Sequence, residues 1–258
     1  MLTFSILFLF ACRQPPDEAK PEFNEAIRLL LAAHPADQDV LDQAANDFLD
    51  TVDGTLNFEE GLKERSALPD NPSASDVDSF DHPGRDPDDL MGIVVGRISE
   101  HPIESHWPIQ LWEDQRPVEP YSPDLFSREF LSGGDCWLDN CDTMETINDI
   151  IKENLLMTMA YKTRKDFRTF NEGEGYIAWS WTQEEIWDEG ENDAILQSFT
   201  VDIWAPRGNR TMRVGALWSE TVLSVNASED LQLTTTMVGL DKTQGAADEY
   251  LDDVEGDQ

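Results

Sequence analysis

Basic residues are scarce in this chain, and their scarcity removes whole classes of partner. The 258 residues include 18 Lys and Arg against 53 Asp and Glu, which gives a net charge of −35. Nucleic-acid binding depends on lysine and arginine side chains that displace counterions from phosphates, and anionic lipid surfaces attract the same residues. We therefore expect no nucleic-acid partner. The acidity is typical of a highly soluble surface or of adaptation to a salty medium.

Histidine is also rare, and the common catalytic motifs are missing. The four histidines are His34, His82, His101 and His106. None stands in a Gly-x-Ser-x-Gly elbow or a His-Glu-x-x-His pair, and neither a P-loop nor a dinucleotide fingerprint occurs. We predict no cofactor and disfavour an enzyme. A hydrolase that uses two distant carboxylates leaves no local motif, so it stays open as an alternative.

The chain has one continuous apolar run, and this run is too short to cross a bilayer as a helix. Residues 1–12 are apolar apart from Thr3 and Ser5, whereas a spanning helix needs about 20 such residues. The run suits the hydrophobic region of a signal peptide, and a polar, proline-containing stretch follows it at once. The alternative is a short buried or amphipathic helix with an ordinary cysteine.

The end of this run, Leu9-Phe-Ala-Cys12, resembles the lipobox of bacterial lipoproteins. That motif consists of leucine, a tolerant position, a small residue and the cysteine that is lipidated. The resemblance covers residues 1–12 only, and it implies a cleaved signal peptide (1–11), palmitate-type acyl chains on Cys12 and a membrane partner reached through this anchor. Arg13 replaces the aspartate that tends to retain such proteins at the inner membrane, so the resemblance favours the outer membrane of the cell envelope.

Two further cysteines, Cys136 and Cys141, are five positions apart. Export implies an oxidising compartment, in which such a pair is expected to form a disulfide. Because the loop is short, the bridge would contribute only about 2 kcal/mol. A zinc site would need more Cys or His nearby, and the sequence has none there.

The first part of the chain after the apolar run has the periodicity of α-helices. Phe23, Ile27, Leu30 and Leu31 are spaced by three or four, and residues 37–52 carry Val40, Leu41, Ala44, Phe48 and Leu49 on one side. A proline-bearing acidic stretch then separates these helices from a strand-like region. We predict a tether (12–21), a helical segment (22–65), an acidic loop or linker (66–90), an antiparallel β-rich domain (91–240) and an acidic mobile tail (241–258).

Alternating apolar residues dominate residues 153–225. Four runs of this kind, joined by short turns, predict an antiparallel meander because parallel crossovers need about a dozen residues. The expected fold class is α+β with four to six strands; a β-sandwich or small barrel is the alternative. We further expect a short helix at residues 143–152 and another strand at residues 234–238.

The acidic stretch offers oxygen ligands that suit a hard cation such as calcium. These weak candidates are Asp76, Asp78, Asp81, Asp86, Asp88 and Asp89. The pattern fails the EF-hand rule because Phe80 stands where a third ligand belongs. A solvated acidic loop is the favoured interpretation.

The densest group of cations lies in the first alternating run. Lys162, Arg164 and Arg168 share the phase opposite the apolar set, so they form a candidate anion-binding face. Neutralisation by carboxylates of the same chain is the favoured interpretation. Trp179, Trp181 and Trp218 stand in the apolar phase and are expected in the core rather than in a ligand cage.

The leading functional hypothesis is a lipid-anchored, non-enzymatic binding or assembly module of the bacterial cell envelope. Its partner would be an envelope protein or a small ligand. The alternatives are a tethered carboxylate-dependent hydrolase of envelope polymers and a calcium-dependent extracellular protein. A walled pocket on the non-core face of the sheet would favour ligand binding, whereas a flat patch there would favour a protein partner.

Overall fold

A computed structural model describes residues 14–137, 141–153, 156–190 and 192–256; Cys12 and the predicted signal peptide lie outside them. The helices are α1 (Pro21–Ala32), α2 (Gln38–Thr55), α3 (Ala74–Val77), α4 (Ile103–His106) and α5 (Glu229–Gly256). The strands are β1 (Ser66–Ala67), β2 (Met91–Ser99), β3 (Leu125–Ser132), β4 (Thr143–Glu153), β5 (Thr158–Phe170), β6 (Gly175–Trp181), β7 (Ile186–Trp187), β8 (Ala194–Arg207) and β9 (Arg210–Val222).

The described strands form one antiparallel sheet. Its order is β1-β2-β9-β8-β6-β5-β4-β3, and β7 pairs with β8. The turn from β8 to β9 contains Gly208, whose φ of 69° is a left-handed conformation that glycine adopts without strain. The α+β class is confirmed, but the sheet has nine strands rather than the expected four to six.

One face of the sheet, called here the helix-covered face, packs against α1 and α2. Pro21 begins α1 at a position that tolerates a missing N–H group. The stripe that includes Phe23 and Ile27 is buried against strand residues such as Trp179 and Val201. Val40 lies exposed instead of on the buried side of α2. The loop between α2 and β2 joins the same core through Val77 and Phe80.

The other face, called here the cavity face, is covered by α5. Asp241 of α5 pairs with Arg65 at 2.6 Å, and Asp248 pairs with Arg97 at 3.4 Å. Further along α5, Leu251 is buried in a small cluster with Ile109 and Val118. These contacts hold the C-terminal half of α5, and residues 232–244 of the same helix lie over the space above the sheet.

Three local expectations are wrong. Residues 143–152 form β4 rather than a helix, because alternate side chains such as Met144 and Ile150 are buried with the period of a strand. Residues 234–238 lie in α5, where Thr234, Met237 and Val238 are buried at helical spacing. Residues 241–256, expected as a mobile tail, continue this helix. No helix in the described ranges is long and apolar enough to span a membrane.

Candidate functional site

A cavity of about 230 Å³ lies between the cavity face and α5. One water molecule needs only roughly 10–15 Å³, so the space admits a small organic molecule. Its walls come from β2, β3, β4, β5, β6, β8 and β9 on one side and from α5 on the other. The lining includes the apolar residues Met91, Phe126, Ile150, Leu156, Met157, Trp181, Ile195, Leu217, Leu223 and Leu240.

A cluster of aromatic rings lies at one end of this cavity, because Phe167 and Trp204 continue the strand faces of the lining residues Lys165 and Asp202. Tyr176 and Trp204 are stacked with their centroids 4.5 Å apart, and Trp107 meets the edge of Tyr176 at 5.4 Å. Trp137 packs between Trp107 and Phe167 at 5.9 Å from each. The rings belong to one buried cluster. Their packing makes this end a wall rather than an opening.

Three cations rest on these rings, and together we call Arg128, Lys165 and Arg213 the cationic floor. Arg128 Cζ and Lys165 Nζ lie 5.3 and 5.2 Å from the centroid of Phe167. Arg213 Cζ lies 4.7 Å and Lys165 Nζ 6.0 Å from the centroid of Trp204. The negative face of an aromatic ring attracts a cation at such distances. The rings therefore hold three positive groups at the closed end.

The floor has little direct compensation from carboxylates. Arg213 approaches Asp202 at 3.5 Å, and Arg128 bonds the neutral oxygens of Asn148 and Gln110. Lys165 forms no ion pair with a carboxylate of the described residues. Burial lowers the pKa of Lys165 to about 8 and that of Arg128 to about 10, because desolvation disfavours the charged forms.

Two carboxylates, Glu119 and Asp202, also line the cavity. Burial raises the pKa of Glu119, although Lys152, Lys165 and Arg213 oppose this shift by attraction. A carboxyl group with a raised pKa keeps its proton to a higher pH than an ordinary glutamate does. This property is required of a general acid.

Several polar atoms around the cavity lack a hydrogen-bond partner. Arg213 Nε, Thr235 Oγ1 and Gln244 Oε1 are buried and find no partner within the described part of the chain. All three residues line the cavity. Because buried polar groups in proteins are nearly always satisfied, these three atoms are available to hydrogen-bond a polar group in the cavity.

The predicted anion-binding residues do not meet at this cavity. Lys162 pairs with Asp149 at 3.4 Å, and Arg164 pairs with Glu145 and Asp166. Arg168 donates to the backbone oxygens of His34 and Ala36, which end α1 and precede α2. Lys162 and Arg164 are therefore paired with carboxylates of the same chain, whereas Arg168 is bound by neutral oxygens. Their neighbour Lys165, in the other phase, faces the cavity.

The six aspartates of the acidic loop are not gathered around one point. Asp76 pairs with Arg28 at 2.9 Å and accepts the backbone N–H group of Ser73. Asp86 Oδ1 accepts the N–H group of Asp88. In the described ranges no group of three or more His, Cys, Asp or Glu residues is placed to hold a metal ion.

His34 takes part in a chain of polar contacts on the helix-covered side. Its Nε2 lies 2.9 Å from Asp166, and its Nδ1 lies 3.4 Å from the hydroxyl of Ser79. The ring stacks on Phe80 at 4.6 Å. Acidic residues on both sides of Ser79 would oppose the negative charge that develops in acyl transfer. We assign these contacts to packing between α1 and the sheet.

The expected disulfide between Cys136 and Cys141 is present, with a Cα–Cα distance of 5.3 Å. It lies beside Trp137 of the aromatic wall. Trp179 and Trp218 are fully buried, as expected of core residues, and they donate to the backbone oxygens of Leu30 and Asp70. Trp181 belongs to the same core and also touches the cavity.

Sequence reasoning missed the cationic floor. The available signal was the position of Lys165 in its run. It occupies the same set of alternate positions as the apolar residues Met159, Tyr161 and Phe167. A lysine in an otherwise apolar phase indicates either a strand end or a buried functional group. Arg213 gave no such signal, because it stands in the polar phase of its run, which is typical of a solvent-facing side.

No known protein family and no curated protein matches the sequence. Among solved structures, the STAR-related lipid transfer protein from Xanthomonas axonopodis is similar at 12% identity and a TM-score of 0.41, over 63% of this chain and 86% of that one. A conserved protein from Geobacillus kaustophilus is similar at 7% identity and a TM-score of 0.41, over 62% and 93%. Norcoclaurine synthase from Thalictrum flavum is similar at 10% identity and a TM-score of 0.38, over 63% and 93%. These scores are too low to support a functional conclusion.

Proposed function

We propose that the protein is a non-enzymatic binding module that encloses a small, partly apolar molecule between its sheet and α5. The observation that carries this proposal is the walled cavity of about 230 Å³ on the cavity face. Apolar walls with a few converging polar groups are typical of ligand sites. A protein partner would instead require a flat or grooved outer surface. The unpaired polar atoms of Arg213, Thr235 and Gln244 support an occupied interior.

A cavity-filling substitution tests this proposal. Gly239 of α5 lines the cavity, and a side chain there would first meet Tyr121 at an ordinary contact distance of 3.9 Å. Gly239→Leu should therefore fold and fill the space. Gly54→Leu is a matched control, since Gly54 is also helical and its nearest neighbour also lies 3.9 Å away.

The measurement is titration with Nile red, a neutral dye that fluoresces in apolar surroundings. We expect saturable binding with one site in the native chain and in Gly54→Leu, and at least about tenfold weaker binding in Gly239→Leu. Absence of saturable binding in the native chain would contradict the proposal. Equal affinity in Gly239→Leu would place the dye elsewhere and would contradict it as well.

We also propose that Cys12 carries a lipid that holds the protein on the outer membrane of a bacterial envelope. The resemblance of Leu9–Cys12 to a lipobox supports this location. The disulfide between Cys136 and Cys141 supports export, because disulfides persist mainly in oxidising compartments. Mass spectrometry of the native protein should find an acylated Cys12 as the first residue. An unmodified Met1 followed by a free thiol at Cys12 would refute the anchor.

A second candidate function is carboxylate-dependent hydrolysis of envelope polymers. It is favoured by one observation: Glu119, with its raised pKa, and Asp202 line the same cavity. The test is release of soluble fragments from dye-labelled cell-wall material. Release by the native protein that disappears in both Glu119→Gln and Asp202→Asn would support hydrolysis. No release, or release unchanged in these variants, would remove this candidate.

A further inference from the structure

The charge of the cavity is opposite in sign to that of the whole chain. The chain carries 53 acidic and 18 basic residues. Among the described residues, the cavity and the smaller space beside it are lined by four basic side chains, Arg128, Lys152, Lys165 and Arg213, and by two carboxylates, Glu119 and Asp202. Burial also raises the pKa of Glu119, which reduces its negative charge. The interior is therefore net positive inside a strongly acidic protein.

The basic residues of the cavity and those of the surface differ in their ion pairs. Surface bases such as Arg116, Lys162 and Arg207 pair directly with aspartates. Lys165 has no ion pair with a carboxylate of the described residues, although carboxylates outnumber bases almost three to one. Removing a cation from water without a counter-charge is unfavourable. Aromatic faces compensate part of this cost for Lys165, and an anion from outside would compensate more.

The floor also offers directional hydrogen-bond donors. Arg213 is held over Trp204 and beside Asp202, and its Nε is buried without a described partner. Lys165 Nζ lies over the same ring of Trp204. Two donors with positive charge thus stand near one another at the closed end. Carboxylate and phosphate groups are the acceptors that such donors bind most strongly.

The far end of the cavity is less charged. Ile195 and Leu223 line it near the start of β8 and the end of β9, whereas Asp202 and Arg213 lie deeper along the same pair of strands. Seven residues separate Ile195 from Asp202, which corresponds to roughly 20–24 Å along a strand. The separation of apolar and cationic ends matches a molecule with an apolar body and one charged end.

We infer that the ligand is an amphipathic anion, with an apolar chain toward Ile195 and a terminal carboxylate or phosphate bound by Lys165 and Arg213. This inference rests on the proposed binding function and names its ligand class. The positive charge of the floor then serves recognition, and the rings of Phe167 and Trp204 keep the cations in place when the ligand leaves.

Displacement of Nile red by three ten-carbon compounds tests the inference at pH 7. Decanol is neutral, decanoate carries a carboxylate and decyl phosphate carries a phosphate. We expect at least one of the two anions to bind at least about tenfold more tightly than decanol. The stronger of the two identifies the head group. If dye binds but decanol and the anions compete equally, the inference fails and the binding module stands. If no dye binds, the proposed function itself fails.

Variants of one strand locate the charge that is responsible. Lys165→Met should abolish the preference for the anion and leave decanol binding within about twofold. Lys162→Met is the matched control on the opposite face of β5, where the side chain is 70% exposed, and it should keep the preference. Lys165→Arg retains the charge and should keep the preference as well. A preference that survives in Lys165→Met, or that is lost in Lys165→Arg, would overturn the assignment.

Proton uptake provides an independent measurement. The groups whose charges act on Lys165 are Asp202 of β8, Arg213 of β9, Arg128 of β3 and Glu119, which follows the turn at Arg116–Val118. Because the pKa of Lys165 is lowered to about 8, the amine is partly neutral at pH 8.5, and a bound anion favours its protonation. Calorimetry of anion binding in two buffers should detect this uptake in the native protein and not in Lys165→Met. Equal uptake in both would contradict the role of Lys165.

Discussion

The helix-covered face and the cavity face belong to the same strands, but they carry opposite kinds of side chain. On β6 and β8, Trp179 and Val201 pack against α1 and α2, whereas Ser180, Thr200 and Asp202 face α5. The first face is dense and apolar and supplies most of the buried surface. The second combines an aromatic cluster with polar and charged side chains that line the cavity. Stability and ligand recognition are therefore separated by the alternation of one pleated sheet.

Adjacent substitutions on β6 should separate the two faces most strongly. Trp179 is fully buried and bonds Leu30, so Trp179→Ala should lower the free energy of unfolding by about 3–5 kcal/mol. Ser180→Ala, one residue later on the cavity face, should change it by no more than about 0.5 kcal/mol. Urea denaturation measures both. Similar losses in the two variants would show that the faces are not energetically distinct.

The disulfide tests whether the cavity face has any stabilisation of its own. Cys136→Ser combined with Cys141→Ser removes a bridge beside the aromatic wall. We expect a loss of about 2 kcal/mol in the free energy of unfolding, because the closed loop is short. The same loss should follow reduction of the native protein. Unfolding that does not change on reduction would mean that the wall is maintained by its rings alone.

A stabilising substitution on the cavity face gives the smallest expected effect. Lys165→Met removes a buried charge without an ion pair, so the unliganded protein should gain about 1 kcal/mol at pH 7. The folded pKa is about 8 and the ordinary value is 10.5. The native protein is therefore penalised fully below pH 8 and progressively less up to pH 10.5, and the gain should shrink over that interval. Thermal unfolding at pH 7 and pH 10 checks the sign.

Much of the helix-covered face is predictable from local pattern. Phe23, Ile27 and Leu30 follow helical spacing, and Trp179 and Val201 stand in the apolar phase of their strands. These features depend on periods of 3.6 and 2 residues, which are local properties. The class of fold and the core therefore follow from the sequence. The strand count does not follow from it, because the sequence of residues 143–152 also fits a short helix and two-residue strands such as β1 and β7 carry little pattern.

The cavity could not be derived in the same way. The polar phase that contains Ser180 and Thr200 looks like a solvent-facing phase, and only the position of α5 makes it an interior. The threonine-rich start of α5 favours a strand by propensity. Packing of Thr234, Met237 and Val238 against β2 and its neighbours overrides that preference. When a helix packs on strands that are distant in sequence, the residues beneath it show no periodic pattern that would reveal their burial.

The position of α5 after all nine strands in the chain has a consequence for assembly. During folding, the sheet can pair and pack on α1 and α2 before α5 covers its cavity face. The hydroxyl and charged groups around the cavity are compatible with contact with water. A partly folded state that lacks α5 therefore exposes little apolar surface there, which limits its aggregation. The polar lining of the cavity thus limits aggregation of the folding chain until α5 docks.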